Sequence, residues 1–265
     1  MIDKVRCFDP LKNPNRKYDL VFHLPVCFDN IDRRQGVDRD FRCLKFQIEN
    51  FKQVNPSNNP NFKMLLCISV NGGISSYSYV KYLNSIGNRL TNNIDIIVFQ
   101  RPNVGWQWGG LHDVYMRYKN HCDFFCTCEC DVWFFQNGWF DMCLSRIKKD
   151  VGFIGMPPGD HTLPNIHAYA DFNIPVRVWR DGNNNIINRP NVRISKHSRG
   201  GWYLCTKKLL DRMDDVYGCF TFALGHSNAL DGIVLGEVGF SHKTEQLGFT
   251  WLCSVLANVF EKDDI

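Results

Sequence analysis

Cys122-Asp123-Phe124-Phe125-Cys126-Thr127-Cys128-Glu129-Cys130-Asp131 is an apolar run that closes on two acidic residues one position apart. Side chains alternate across a strand. A buried strand here predicts Glu129 and Asp131 on one face, with Cys126, Cys128 and Cys130 on the other. Paired carboxylates at the carboxyl end of a strand supply hard oxygen ligands that suit Mg²⁺ or Mn²⁺. Open α/β sheets bind their ligands beyond that end of the strands. A solvated strand end with two acids gives the same letters, so the flanking segments carry the decision.

Working outward, strand and helix patterns alternate. Upstream, Leu111, Val114, Tyr115 and Tyr118 follow helical spacing, and Ile94–Phe99 reads as a strand. Ser75 or Ser76 offers an N-cap for a helix carrying Val80, Leu83 and Ile86 and ending at Gly87. Met64–Val70 is a strand stopped by Asn71-Gly72-Gly73, and Phe41–Phe51 has a helical pattern. Tyr18–Leu24 is a strand expected to run into a loop at Pro25. Downstream, Phe140, Cys143, Leu144 and Ile147 are spaced for a helix before a short strand, Val151–Ile154. This alternation predicts an α/β fold with a mostly parallel central sheet flanked by helices. Asp95, inside a strand, reads as structural.

The second half is different. Residues 157–200 are rich in Pro, Asn, Gly and Arg and lack a clean period, apart from a short strand at 176–179. A strand (201–205) and a helix from Thr206 follow, and another helix is expected from Ser227.

The net charge of +4 is too small to argue for nucleic acid. No apolar run reaches the length of a membrane span. The first ten residues hold charges and no apolar core of a signal peptide. Twelve cysteines without a secretory signal suggest free thiols and a cytoplasmic setting. The cluster at 122–130 lacks the C-x-x-C spacing of a structural zinc site.

Four loops could meet at the strand ends, those after Leu24, Val70, Phe99 and Cys130. The third, Arg101–Gly110, combines Gly105, Gly109 and Gly110 with Trp106 and Trp108. These tryptophans either stack on a sugar or base or cap the core beneath the loop. The order of motifs is a strand ending His-Leu-Pro, a strand ending Val-Asn-Gly-Gly, a third strand, then Asn103-x-Gly105 with Gly109-Gly110 opening a helix, and lastly Glu129-Cys130-Asp131. It resembles the nucleotide-sugar-binding half of GT-A-fold glycosyltransferases, with Glu-x-Asp as a variant of their DxD motif.

That resemblance implies a single GT-A-like, Rossmann-type domain, in which residues 17–156 bind the donor and the loop-rich residues 157–265 the acceptor. The donor would be a UDP- or GDP-sugar, the acceptor a glycan or glycoconjugate, and the cofactor Mn²⁺ or Mg²⁺. It makes Asp131 a metal ligand and Glu129 a ligand directly or through water. It lines the nucleotide-sugar pocket with His23, Leu24, Pro25, Val26, Asn71, Gly72, Asn103, Gly105, Trp106, Trp108, Gly109, Gly110, Cys130, Gly200, Gly201 and Trp202. Asp231 becomes the candidate base with Glu237 and Glu245 as rivals, and His242, or else His226, a further metal ligand. The basic segment Arg193–Gly201 could close over the diphosphate, or be a solvated loop.

Two other functions fit parts of the pattern. A carbohydrate- or nucleotide-binding module without turnover would need the aromatic loop but no carboxylate pair. A nucleotidyltransferase would begin with a Gly-rich basic loop after its first strand, where this chain has His23-Leu-Pro-Val-Cys-Phe.

Overall fold

The computed structural model describes residues 17–28, 39–74, 76–156, 179–180, 186–187, 198–218, 220, 236–237, 239–254 and 256–259. Strands β1 (Leu20–Val26) and β2 (Met64–Asn71) are buried along their whole length and pair in parallel. That is what their unbroken apolar runs require, since both faces of a parallel sheet are covered. β4 (Ile94–Arg101) pairs in parallel with β2, and β5 (Phe124–Cys128) in parallel with the other side of β1. β3 (Arg89–Thr91), which the sequence pattern did not predict, lies antiparallel on the outer edge of β4.

Beyond β5, β10 (Arg199–Thr206) runs antiparallel between β5 and β7 (Val151–Met156), and β11 (Thr250–Cys253) closes the sheet parallel to β7. The order of the eight strands is β11-β7-β10-β5-β1-β2-β4-β3. The reversed β10 matters for the site. It brings the amino end of one strand, Arg199–Trp202, beside the carboxyl ends of β5 and β7. Two small ladders stand apart, β6 (Val132–Phe134) with β12 (Ala257–Val259), and β8 (Trp179–Arg180) with β9 (Ile186–Ile187).

Helices cover both faces. On one, α1 (Arg39–Gln53), α2 (Tyr77–Ser85) and α4 (Trp139–Leu144) pack Leu44, Ile48, Tyr79, Leu83 and Trp139 onto Phe22, Leu24, Leu66 and Ile68. On the other, α3 (Trp106–Tyr118), α5 (Lys207–Tyr217) and α6 (Gly239–Gln246) pack Leu111, Tyr115, Leu209, Met213 and Phe240 onto Val21, Leu65 and Phe125. The strand residues divide between these clusters with the period of two that the pleat imposes. This is the expected α/β class, a mostly parallel sheet between helical layers.

Several boundaries differ from those predicted. β1 continues through Pro25 to Val26, because β5 pairs only with Val21–His23 and leaves that side of the strand open at Pro25. β5 stops at Cys128 rather than Asp131. α3 begins at Trp106, four residues before the expected loop ends at Gly110. Gly105, at φ 71°, takes the left-handed turn that starts it. Of the strand expected at 176–179, only Trp179 lies within the described residues. The helix from Ser227, with His226 and Asp231, and the basic segment 193–197 lie outside them. Among the described residues no helix is long and apolar enough to cross a membrane, and the cysteines are free thiols.

Candidate functional site at the carboxyl edge of the sheet

The loops that leave β1, β2, β4 and β5 do meet. Cys27, just past β1, donates its N–H to Asp40 Oδ2 at 2.9 Å, which fastens the start of α1 to this edge. Asn103, past β4, reaches Cys27 Sγ at 3.8 Å. Arg101 ends β4 and ties three segments with one guanidinium. Nε donates to Asp113 Oδ2 at 2.6 Å, Nη1 to Asn71 Oδ1 at 3.2 Å and Nη2 to the Val104 carbonyl at 2.9 Å. The planar fork of arginine suits this kind of multiple anchoring. Gln100 Nε2 donates to the Gly72 carbonyl at 2.8 Å, so the turn after β2 is held as well.

The acidic residues sit in a turn, not on a strand. Glu129 N–H donates to the Gly201 carbonyl at 2.6 Å, and Val132 N–H closes the turn onto the Glu129 carbonyl at 3.1 Å. Alternation along β5 therefore does not set the direction of Glu129 and Asp131. They are nonetheless close enough for their charges to interact. Burial, then the charges of Asp131 and Glu237, push the Glu129 carboxyl up to about 8. Asp131 is 8 % exposed and forms an ion pair with Arg39 at the start of α1. Asp40, beside them, is raised by burial. Glu237 Oε2 accepts the Gly200 N–H at 2.7 Å, so it is anchored at the amino end of β10.

Glu129, Asp131, Glu237 and Asp40 thus share one corner, with Arg39 as counter-charge. Crowded carboxylates raise one another's pKa, and a cation relieves that repulsion. The donor set fits a hard divalent ion held by Glu129 and Asp131, its shell completed by water or substrate oxygens. Among the described residues no three His, Cys, Asp or Glu side chains form a metal-ligand group. His242 therefore does not join the pair. It lies within α6. Glu245 is also elsewhere, accepting Trp251 Nε1 at 3.0 Å next to the edge strand β11.

The rest of the expected pocket divides sharply. Asn71, Gly72, Asn103, Gly105, Cys130, Gly200 and Gly201 lie at the edge, in or next to its loops. His23, Leu24, Pro25 and Val26 lie inside β1 and are buried. The His23 ring has Thr127 Oγ1 2.9 Å from Nδ1 and Ser69 Oγ 2.8 Å from Nε2. Burial, with help from Arg101, pushes its pKa down to about 3, so it is a neutral interior residue. Gly109 and Gly110 are helical. A Cβ on Gly110 would stand 2.6 Å from His23 Nε2, so this glycine lets α3 close over β1.

Trp108 is 2 % exposed, stacked on Phe240 with centroids 4.3 Å apart and edge-on to Tyr203 at 4.7 Å. Of the two readings of this residue, the structure selects the core cap. Trp202 is fully buried against Phe134 at 5.3 Å, also in the core. Trp106 is the first residue of α3. Asp95 is structural, accepting Tyr18 Oη at 3.0 Å and facing Arg89 Nε at 3.5 Å.

Sequence reasoning missed Arg39, Asp40, Cys27 and Arg101. Arg39-Asp40, just ahead of an apolar helical stripe, was the available signal for a functional helix start.

No family model matches the chain, and no curated protein matches it. Among solved structures, it is similar to a chain described as a glucose-1-phosphate thymidylyltransferase from Bacillus anthracis, in complex with sucrose. The two share 12 % identity over 89 % of this chain and 86 % of that one, with a TM-score of 0.48. Likeness of that degree transfers no activity.

Proposed function

We propose that the protein is a divalent-metal-dependent glycosyltransferase. It would move a sugar from a UDP- or GDP-linked donor to a hydroxyl of a glycan or glycoconjugate. The observation that supports this reading is the carboxylate corner at the carboxyl edge of the sheet. There the Glu129–Asp131 turn, itself the loop leaving β5 and anchored to Gly201, meets the loops from the parallel strands β1, β2 and β4. Mn²⁺ or Mg²⁺ held by Glu129 and Asp131 would neutralise the departing nucleoside diphosphate. Arg39 offers a second positive charge at the same corner. Asn71, Gly72 and Asn103 would border the nucleotide. Among the described residues Glu237, fixed by the Gly200 N–H, is the base candidate near the turn, and it would take the proton from the acceptor hydroxyl. Residues 17–156 would serve the donor and 157–265 the acceptor within one domain.

The test is a panel of UDP- and GDP-sugars incubated with the protein and Mn²⁺. The reading expects release of nucleoside diphosphate from at least one donor, lost in Asp131→Asn. Pyrophosphate release from a nucleoside triphosphate and a sugar phosphate would instead make it a nucleotidyltransferase. Binding without release would make it a binding module.

A further inference from the structure

At the β7–β11 end of the sheet's amino edge, opposite the carboxylate corner, cations outnumber acids. Asp150 precedes β7, Phe249 precedes β11, and Lys208 lies in the first turn of α5, which follows the carboxyl end of the reversed β10. Between them is a groove of about 570 Å³ lined by Lys149, Asp150, Lys208, Arg212, Leu247 and Phe249. That volume is typical of small-molecule sites. Three cations face one carboxylate, and among the described residues none of the four forms an ion pair. Asp150 is turned toward its neighbour Thr250, whose Oγ1 lies 3.4 Å from Asp150 Oδ2.

Lys208 Nζ stands 5.4 Å from the Phe249 ring centroid and 3.4 Å from the Lys149 carbonyl. These contacts hold the ammonium over the groove and leave its charge uncancelled. The α5 amino end adds its positive dipole to the same side. Phe249 and Leu247 give the groove an apolar floor.

We infer that this groove is a second ligand site, separate from the carboxylate corner, for a small phosphate-bearing anion. Lys149, Lys208 and Arg212 would bind the phosphate oxygens, and Phe249 with Leu247 would contact the group that carries them. Three cations gathered around one groove favour a compact polyanion over the broad acidic face of a protein. Phosphate esters reach such a site from two sources, soluble metabolites and phospholipid headgroups. The inference does not depend on the proposed transferase activity.

The experiment is a calorimetric titration of the full chain with inorganic pyrophosphate in EDTA, where the carboxylate corner has no cation to attract it. Saturable binding is expected. Lys208→Glu with Arg212→Glu should weaken it by about tenfold or more, while Asp131→Asn leaves it unchanged. If the double charge reversal unfolds, Lys208→Met with Arg212→Met should show the same loss with an unchanged melting temperature. Sedimentation with phosphatidic acid vesicles but not with phosphatidylcholine, competed by pyrophosphate, assigns the lipid source. Pyrophosphate binding without vesicle binding assigns a soluble one. No saturable binding, or equal affinity in the substituted protein, overturns the inference. Binding of polyglutamate in place of pyrophosphate overturns it in favour of an acidic protein surface.

Discussion

The turn at residues 129–131 and the start of α3 at residues 105–110 lie on the same edge of the sheet and are built in opposite ways. In the turn, charge accumulates. Glu129 is pushed up to about 8 by burial and by its acidic neighbours, and Asp131 leans on Arg39. At α3, apolar surface is withdrawn. Trp108 leaves solvent for Phe240 and Tyr203, and Gly110 lets the helix close on His23. Aromatic bulk at a sheet edge can be folded into the core at a gain. A carboxylate cannot, because an uncompensated buried charge is costly. On the proposed function, one segment becomes the wall of the site and the other would supply its chemistry.

Predictions that probe this contrast run from large effects to small. Trp108→Ala should destabilise the fold by about 3–5 kcal/mol, the usual loss for a large aromatic removed from a core, measured by urea unfolding. Trp108→Phe should keep the KM for the donor; a raised KM in a folded Trp108→Phe protein would place the indole on the ligand side. Asp131→Asn should lower turnover by roughly 100- to 1000-fold with the fold retained, the scale of losing one strong electrostatic contact at a reacting centre. Glu129→Gln should separate the two properties. It should melt higher, because glutamine carries neither the burial cost nor the repulsion that push the Glu129 carboxyl up to about 8, and turn over more slowly, because a ligand is lost.

Cation affinity should depend on pH with a known sign. The Glu129 carboxyl must lose its proton to bind a cation, and that proton is held up to about pH 8. Affinity for Mn²⁺ should therefore rise by up to about tenfold per pH unit below that value and level off above it. A flat profile would contradict the crowded-carboxylate account.

The smallest effect concerns the wall. His23 is depressed from 6.5 to about 3, so above pH 6.5 both folded and unfolded chains carry it neutral and its stability is intact. Below 6.5 only the unfolded chain takes the proton, and stability should fall by at most about 1.4 kcal/mol per pH unit. Unfolding of His23→Gln, compared with the parent between pH 6.5 and 5.5, should lack this share of the slope.

The central strands were legible because parallel strands buried on both faces leave unbroken apolar runs, as Met64–Val70 does. Glu129 and Asp131 were legible because charge at the end of such a run is conspicuous. Their geometry was not, since the bond from Glu129 N–H to Gly201 joins segments 72 residues apart (201 − 129) and no local pattern encodes it. From sequence alone the glycines at 105, 109 and 110 put Trp108 in a loop. In the structure Gly110 permits close helix-to-strand contact, which depends on a neighbour, His23, far away in sequence. Arg39 and Arg101 escaped notice for the same reason. Their partners, Asp131 and Asn71, are brought to them only by the fold.

Electron paramagnetic resonance titration of Mn²⁺, with and without UDP or GDP, tests the acidic turn most directly. The account predicts a bound ion in the parent protein, held more tightly when the diphosphate is present, and no such site in Asp131→Asn. Equal Mn²⁺ binding by parent and Asp131→Asn, or no binding by either, would contradict it.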